Sequence, residues 1–213
     1  MLKYLNNNII VLGIKYSMKS FIRFFDFNFY KENYIAIVAL LVSIVFIKIF
    51  NLHEILENSF LENMQLIVLV AGFITSLKAK NHKIFFNFLA MVIFLMFMRE
   101  ISYGRVLFAH VPNGAPDAFY PWSHYKYGWL ANVIVGIYVA FGVLYALLNK
   151  IWVDIANIIS TIKFPVWTFL ASFVCVVAQL LSEKNWHNSC IEETAEFILY
   201  SLILALILIY KKQ

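Results

Sequence analysis

Six apolar stretches, separated by short polar segments, most constrain the fold of this chain. Hydrophobic residues make up 62% of the sequence and charged residues only 14%, with a mean hydropathy of +0.78. In soluble domains about a quarter of the residues are charged. The sequence therefore predicts an integral membrane protein. The stretches are residues 34–50, 64–77, 84–98, 128–148, 164–181 and 197–210.

Three of these stretches, the second, third and sixth, are short for a membrane span. A hydrocarbon core about 30 Å thick requires roughly 20 helical residues, so these stretches must recruit polar neighbours to cross. Lipid does not tolerate unpaired backbone groups, and the sequence lacks the alternating pattern of a barrel. We therefore predict an all-α bundle of about six transmembrane helices, forming one domain over residues 33–213. The predicted spans are about 34–50, 62–78, 83–103, 128–148, 164–182 and 192–210.

Residues 1–32 predict a separate amphipathic arm on the cytoplasmic side. Lys15, Lys19 and Arg23 follow one another every four residues, beside a face of apolar residues at helical spacing. A basic amphipathic helix of this kind lies on an anionic membrane surface. Residues 151–162 repeat the pattern more weakly, and we expect them to extend the fourth helix along the surface. The apolar residues of the arm are Ile14, Met18, Phe21, Ile22, Phe25 and Phe29.

The charged residues divide between the two sides of the predicted membrane. Twelve of the seventeen Lys and Arg residues lie in the arm, the 78–83 loop, the 150–163 loop and the C-terminal tail, whereas nine of the twelve acids lie in the other segments. The positive-inside rule then predicts a multi-pass protein of the cell inner membrane with both termini cytoplasmic. Topology explains the net charge of +5. We expect membrane lipids as partners, and nucleic-acid binding is not needed.

Charged side chains from three helices are predicted to meet at the outer end of the bundle. Charged groups inside a bilayer normally face the protein interior and pair. In a structural interpretation, Arg99 neutralises an acid on another helix and locks the bundle, and acids at the start of the sixth helix interact with its macrodipole. The side chains concerned are Glu62, Arg99, Glu100, Arg105, Glu193 and Glu196.

In a functional interpretation, Glu100, Glu193 and Glu196, assisted by Glu62, are acid–base groups. Carboxyl groups crowded into a partly apolar cleft favour the protonated form, which suits proton transfer near neutral pH. Glu100, Glu193 and Glu196 together with His187 are also candidate ligands for a divalent cation. The surplus of acids favours a function, since pairing alone leaves several carboxylates unmatched. The aromatic, proline-rich segment 110–128 predicts either a lid over this cleft or a belt at the lipid headgroups.

A resemblance to a family lies in the residues that end the third span. Residues 99–105 read Arg-Glu-Ile-Ser-Tyr-Gly-Arg, which resembles the Glu-Glu-Ile-Ser-Trp-Gly-Gln string of uncharacterised bacterial multispanning proteins. In that family an acidic helix entrance precedes the string and a Glu-Glu-x-x-Glu motif follows it. Here Glu57 with Glu62 and residues 192–196 correspond, in the same order. The resemblance implies a bacterial inner-membrane protein with a shared site, and Arg99 departs from the family pattern at the first acid.

Three classes of function remain open. An enzyme that acts on an envelope lipid or a lipid-linked glycan would use the carboxylate cleft, and we rank it first. A non-enzymatic accessory or immunity-type protein needs only a complementary surface. A cation or proton carrier needs polar residues through the midplane, where Asn87, Asn132 and Ser172 are the main candidates. Prenyl-protein-processing proteases are matched only in the spacing of Glu100 and Arg105, without the later histidine motifs.

Overall fold

A computed structural model describes residues 25–50, 60–104, 111, 120–161, 163–182, 184 and 189–211. The described chain is almost entirely helical, which confirms the predicted all-α class. The predicted amphipathic helix of the arm falls mainly on residues 1–24, outside the described residues. The described α-helices are α1 (Tyr34–Phe50), α2 (Phe60–Leu77), α3 (Lys83–Glu100), α4 (Trp129–Leu148), α5 (Ile151–Thr161), α6 (Val166–Leu181) and α7 (Ser189–Lys211).

Each predicted span coincides with one of these helices, and the differences lie at the ends. α3 ends at Glu100, whereas the sequence predicted helix to residue 103. Ser102 and Tyr103 have φ angles of 47° and 54°, and a left-handed backbone cannot continue a right-handed helix. α7 begins at Ser189, three residues before the predicted start. Its polar first turns supply the length that its apolar stretch lacks.

In the part of the chain that the structure describes, four helical segments are long and apolar enough to cross a membrane, namely Lys31–Ile49, Phe60–Leu77, Trp129–Leu148 and Ser189–Lys211. The protein is therefore an integral membrane protein. α6 is apolar but has only 16 residues. α3 has 18 residues and carries Lys83, Arg99 and Glu100 at its two ends.

α7 is the central helix of the bundle and packs against α1, α2 and α6. Of the residues in its most apolar 18-residue stretch, 56% are buried inside the protein. Buried residues of α2, α3 and α7, including Leu69, Phe86, Ile93 and Ile207, form the largest apolar cluster. Gly72 of α2 lies at the contact with α7, where a Cβ would be 3.6 Å from Ile207 Cδ1, an ordinary van der Waals distance. Such small residues at helix contacts are typical of membrane bundles.

α4 lies at the edge of the bundle, in contact with α3. None of its described residues is buried, so its apolar surface is left to the lipid. A left-handed Lys150, with φ 49°, separates α4 from α5. The helical pattern of residues 151–162 is thus a separate helix, and the expected continuation of the fourth helix is wrong at this residue. Ile151 and Ile158 of α5 are buried.

A short parallel strand pair ties the chain before α1 to the chain before α6. β1 (Phe25–Asp26) pairs with β2 (Phe164–Pro165). The chain is extended at Phe25 and does not become helical until Lys31, so the predicted helical spacing of the arm does not continue to Phe25 and Phe29. Thr168 Oγ1 donates to Asn33 Oδ1 at 2.9 Å and reinforces this connection.

Candidate functional site

An ion-pair cluster joins the end of α3 to the second and third turns of α7. Arg99 donates from Nη2 to Glu196 Oε1 at 2.5 Å and to Glu100 Oε1 at 2.9 Å. Its Nε donates to Glu100 Oε1 at 3.1 Å. The Tyr200 hydroxyl accepts from Arg99 Nη2 at 2.9 Å and donates to Glu100 Oε1 at 2.7 Å. One guanidinium and one phenol therefore hold carboxyl groups of two helices together.

The acids of this cluster are buried, whereas its cation reaches the surface. The side chains of Glu100 and Glu196 are 5% and 7% exposed, and that of Arg99 is 51% exposed. Gln179 near the end of α6 also donates through Nε2 to Glu196 Oε1. Glu196 is thus held by α3 and α6 at once, and the cluster opens to its surroundings on the Arg99 side.

Gln65 and Glu193 form a second contact at the same end of the bundle. Gln65 of α2 is fully buried and donates through Nε2 to the Glu193 backbone oxygen at 3.0 Å and to Glu193 Oε2 at 2.9 Å. Glu62, in the first turn of α2, adds negative charge near Glu193. α2 therefore brings an amide donor, and α7 brings the carboxyl group that accepts from it.

The spacing of polar residues along α7 explains why they meet. Glu193, Glu196 and Tyr200 are separated by three and four residues, and such positions share one face of an α-helix. α7 starts at the level where α3 and α6 end, so this face meets Arg99, Glu100 and Gln179. Pairing of buried charges across helices is the arrangement expected in lipid, where an unpaired charge is costly.

The structure brings together Arg99, Glu100, Glu193 and Glu196 of the predicted site. Arg99 pairs with Glu196, and Glu193 pairs with Gln65 instead of the arginine. Arg105 and His187 lie outside the described residues. Tyr200 was not predicted, although its position four residues after Glu196 places it on the same face of α7.

The proposed divalent cation finds no preformed site in the described part of the chain. Among those residues, no group of three or more His, Cys, Asp or Glu side chains is arranged to hold a metal ion. Glu100 and Glu196 are joined by a guanidinium at the place where a shared cation would lie. The cluster within the described ranges is thus an arginine-centred ion pair.

The opposite end of the bundle has its own polar contacts. Asp154 of α5 lies 3.1 Å from His82 Nδ1 through Oδ1, and its Oδ2 accepts from the Phe85 backbone N–H at 3.1 Å. Asp154 thereby caps the start of α3 from a neighbouring helix. Near β1, Asp26 accepts from the Tyr30 hydroxyl at 2.5 Å and from the Asn28 backbone N–H at 3.0 Å. The Tyr30 and Asn28 donors lower the pKa of Asp26 below its usual value.

Fold and cluster together define an all-α integral membrane protein with a polar centre shared by α3, α6 and α7. Comparison with models of protein families, with curated proteins and with solved structures finds no match.

Proposed function

We propose that the protein acts on the headgroup of an envelope lipid or lipid-linked glycan, and that Arg99, Glu100 and Glu196 form its site. The observation that carries the proposal is that two buried carboxyl groups share one half-exposed guanidinium. A guanidinium presents its donors in a planar fork that matches the oxygens of a phosphate. The exposed part of Arg99 would bind a headgroup phosphate directly beside the two acids.

The balance of charges supports proton transfer as the chemistry. Among the described residues of the cluster, Arg99 is the cation, whereas Glu100, Glu193 and Glu196 are three carboxyl groups at one level of the bundle. Burial without a matching cation favours the protonated form of a carboxyl group. One protonated and one ionised carboxyl group beside a bound headgroup can serve as a general acid and a general base.

In the proposed reaction, one carboxylate takes a proton from a hydroxyl group or water, whose oxygen bonds to the headgroup phosphorus or glycosidic carbon as the bond from that atom to the leaving oxygen breaks. The other carboxyl group gives a proton to the leaving oxygen. Hydrogen bonds from the described residues reach only the Oε1 atoms of Glu100 and Glu196. The Oε2 atoms of both side chains are the ones that would exchange protons with the headgroup. Glu193, with Glu62 nearby, would set the local negative charge.

The membrane placement is part of the same proposal. We propose six passes in a cell inner membrane, with both termini cytoplasmic and the cluster at the outer interface. The distribution of basic residues supports this orientation. Alkaline phosphatase and green fluorescent protein fused after residue 80 and after residue 184 would test it. We expect fluorescence from fusions after residue 80 and phosphatase activity from fusions after residue 184. The reverse pattern would overturn the orientation.

We also propose that this chain shares a site with the family that it resembles. Residues 99–105, Glu62 and residues 192–196 correspond to the acidic motifs of the uncharacterised bacterial proteins. Arg99 stands where that family has its first acid. In this chain the arginine at position 99 would neutralise neighbouring acids, whereas the family has a further acid at this position.

A non-enzymatic accessory or immunity-type protein is the second candidate. It is favoured by the three hydrogen bonds that Glu100 Oε1 accepts from Arg99 and Tyr200, which are the interlocked contacts of a structural pair. The carrier alternative receives less support. Of its midplane candidates, Ser172 donates to the Thr168 carbonyl of its own helix, and Asn132 is exposed at the bundle edge.

Mass spectrometry of envelope lipids tests the proposed function. Cells lacking the gene are complemented with wild type, with Glu196→Gln, or with Asp154→Asn as a matched control at the opposite end of the bundle. Both substitutions replace a carboxyl group by an amide of the same shape. Immunoblotting of membrane fractions confirms equal amounts of each protein.

We expect a lipid or glycan mass change in the deletion strain that wild type and Asp154→Asn reverse and Glu196→Gln does not. Identical lipid profiles in all strains would overturn the enzyme proposal and favour the accessory protein. Full reversal by Glu196→Gln would separate the activity from the cluster and overturn the assignment of the site.

A further inference from the structure

An apolar cavity of about 600 Å³ lies between the end of α3 and the start of α4. Its volume falls within the range of about 300–1,000 Å³ that is typical of ligand pockets. Met98 and Ile101 line it from α3 and the turn that follows, and Leu130 and Ile134 line it from α4. Trp122 and Tyr125 line it from the segment before α4. None of the described lining residues carries a charge, so the cavity fits an uncharged hydrocarbon chain.

The cavity is continuous with the lipid-facing surface of α4. Leu130 and Ile134, which line it, are 41% and 65% exposed, and no described residue of α4 is buried. Since α4 is long and apolar enough to cross a membrane, the phase that meets this surface is lipid hydrocarbon. A membrane lipid can therefore enter the cavity sideways from the bilayer, without passing through water.

The rim of the cavity carries a positive charge among aromatic rings. Lys126 is exposed and lies between Tyr125 and Tyr127, both of which line the cavity. Its Nζ is 5.4 Å from the centroid of the Tyr127 ring. Tyrosine and tryptophan are enriched at the headgroup level of membranes, and lysine there is complementary to phosphate. Apolar lining and a cationic rim together match a phospholipid.

We infer that this cavity binds one acyl chain of a phospholipid, whose headgroup phosphate lies between Lys126 and the exposed part of Arg99. This inference deepens the proposed function. If the proposed function holds, the bound phospholipid is the substrate class, and that conclusion rests on the proposed function. Successive helical residues are rotated by about 100° around the axis. Met98 therefore faces the cavity, Glu100 faces α7 on the opposite side, and Arg99 lies on the flank between them. A headgroup at the cavity mouth would be next to the exposed part of Arg99.

Gly128 shapes the wall of this cavity. A Cβ at residue 128 would lie 1.6 Å from the Trp122 backbone oxygen, so only glycine allows the segment with Trp122 to approach the start of α4. The Gly128 N–H donates to the Tyr125 backbone oxygen at 2.9 Å, which closes the same turn. The cavity is thus built by a close backbone contact that a larger residue at position 128 would displace.

Native mass spectrometry of the purified full chain tests the inference. The protein is reconstituted in vesicles of phosphatidylglycerol, phosphatidylcholine and diacylglycerol, extracted in mild detergent, and scored for each retained lipid as detergent is increased. Ala131→Phe fills the cavity from α4. Ala140→Phe is the matched control, since Ala140 lies on the exposed part of the same helix and does not line the cavity.

We expect wild type and Ala140→Phe to retain one phospholipid, and Ala131→Phe to retain at least about fivefold less. Lys126→Gln, an exposed change that leaves the core intact, should weaken retention of phosphatidylglycerol about threefold and that of diacylglycerol hardly at all. This second variant keeps the test informative if Ala131→Phe does not fold.

Loss of all lipid from wild type, or equal retention by Ala131→Phe and Ala140→Phe, would overturn the inference. Retention of a lipid without phosphate in preference to phosphatidylglycerol would overturn the assigned class. Failure of the proposed function can be distinguished from failure of this inference. In that case the purified protein still retains phospholipid, while the lipid profiles of complemented cells show no change. If wild type retains no lipid but the lipid profiles still depend on Glu196, the inference about the cavity is overturned and the proposed activity stands.

Discussion

The acids at the two ends of the helical bundle are stabilised by different kinds of partners. At the end with Asp154 and Asp26, each acid accepts from a nearby backbone N–H and from one side chain. At the other end, Glu100 and Glu196 depend on one arginine, and Glu193 depends on a glutamine. The first arrangement is locally balanced, whereas the described residues of the second include more carboxyl groups than cations. The difference indicates that the Arg99 end holds charge beyond the needs of packing.

The largest effect is expected when the shared cation is removed. Arg99→Met leaves Glu100 and Glu196 buried without a positive partner. We expect a loss of about 2–3 kcal/mol in the free energy of unfolding, below the roughly 3–5 kcal/mol of a fully buried pair because the guanidinium is half exposed. Unfolding in detergent can be followed with a thiol-reactive dye, since Cys175 and Cys190 are buried thiols.

A double variant sharpens this prediction. Combining Arg99→Met with Glu196→Gln removes one charge of each sign, and we expect it to recover about half of the lost stability. Arg99→Lys keeps the charge without the fork and should cost less than Arg99→Met. Equal unfolding of Arg99→Met and wild type would show that the ion pairs contribute nothing to stability.

The amide contact between α2 and α7 should give the next largest effect. Gln65→Leu keeps the volume of the side chain but leaves the half-buried Glu193 carboxyl group without its amide donor. We expect a loss of about 1–2 kcal/mol, the usual cost of an unsatisfied buried group. Thermal unfolding in detergent measures it.

Ser76→Ala on the same helix is the control for Gln65→Leu. The Ser76 hydroxyl is buried and has no hydrogen-bond partner among the described residues. Its removal should change stability by less than about 0.5 kcal/mol. A cost for Ser76→Ala equal to that of Gln65→Leu would contradict the role given to the Gln65–Glu193 contact.

At the opposite end, a smaller effect is expected from the cap of α3. Asp154→Ala removes the acceptor of the Phe85 N–H and the partner of His82, at a cost of about 1 kcal/mol, which is typical of a lost helix cap. Asp154→Asn retains an acceptor oxygen and should lose about half as much. Hydrogen exchange at residues 83–86 measures the local opening, and unchanged protection in Asp154→Ala would refute the cap.

The smallest effect concerns pH and Asp26. The pKa of Asp26 is lowered in the folded protein by its Tyr30 and Asn28 donors, so its contribution is present above the unfolded value of about 3.9. That contribution is lost as pH falls through the folded pKa. We expect the melting temperature of wild type to fall between pH 5 and pH 3 more than that of Asp26→Asn. Parallel melting curves for the two proteins would contradict the prediction.

The sequence by itself determined the membrane class and the approximate place of each described α-helix, although not the break between α4 and α5, because apolar length and helical spacing are local properties of the chain. It also indicated that Arg99, Glu100, Glu193 and Glu196 share one level. Tertiary structure decided the partners: Arg99 with Glu196 across 97 residues, and Gln65 with Glu193 across 128. The helix stop after Glu100, the role of Tyr200 and the cavity beside α4 were also decided there. The pairings and the cavity depend on how distant segments pack, which leaves no periodic signal in a single sequence. The helix stop lies in the left-handed backbone of Ser102 and Tyr103, and the spacing of Tyr200 from Glu196 gives its face but not its partners on α3.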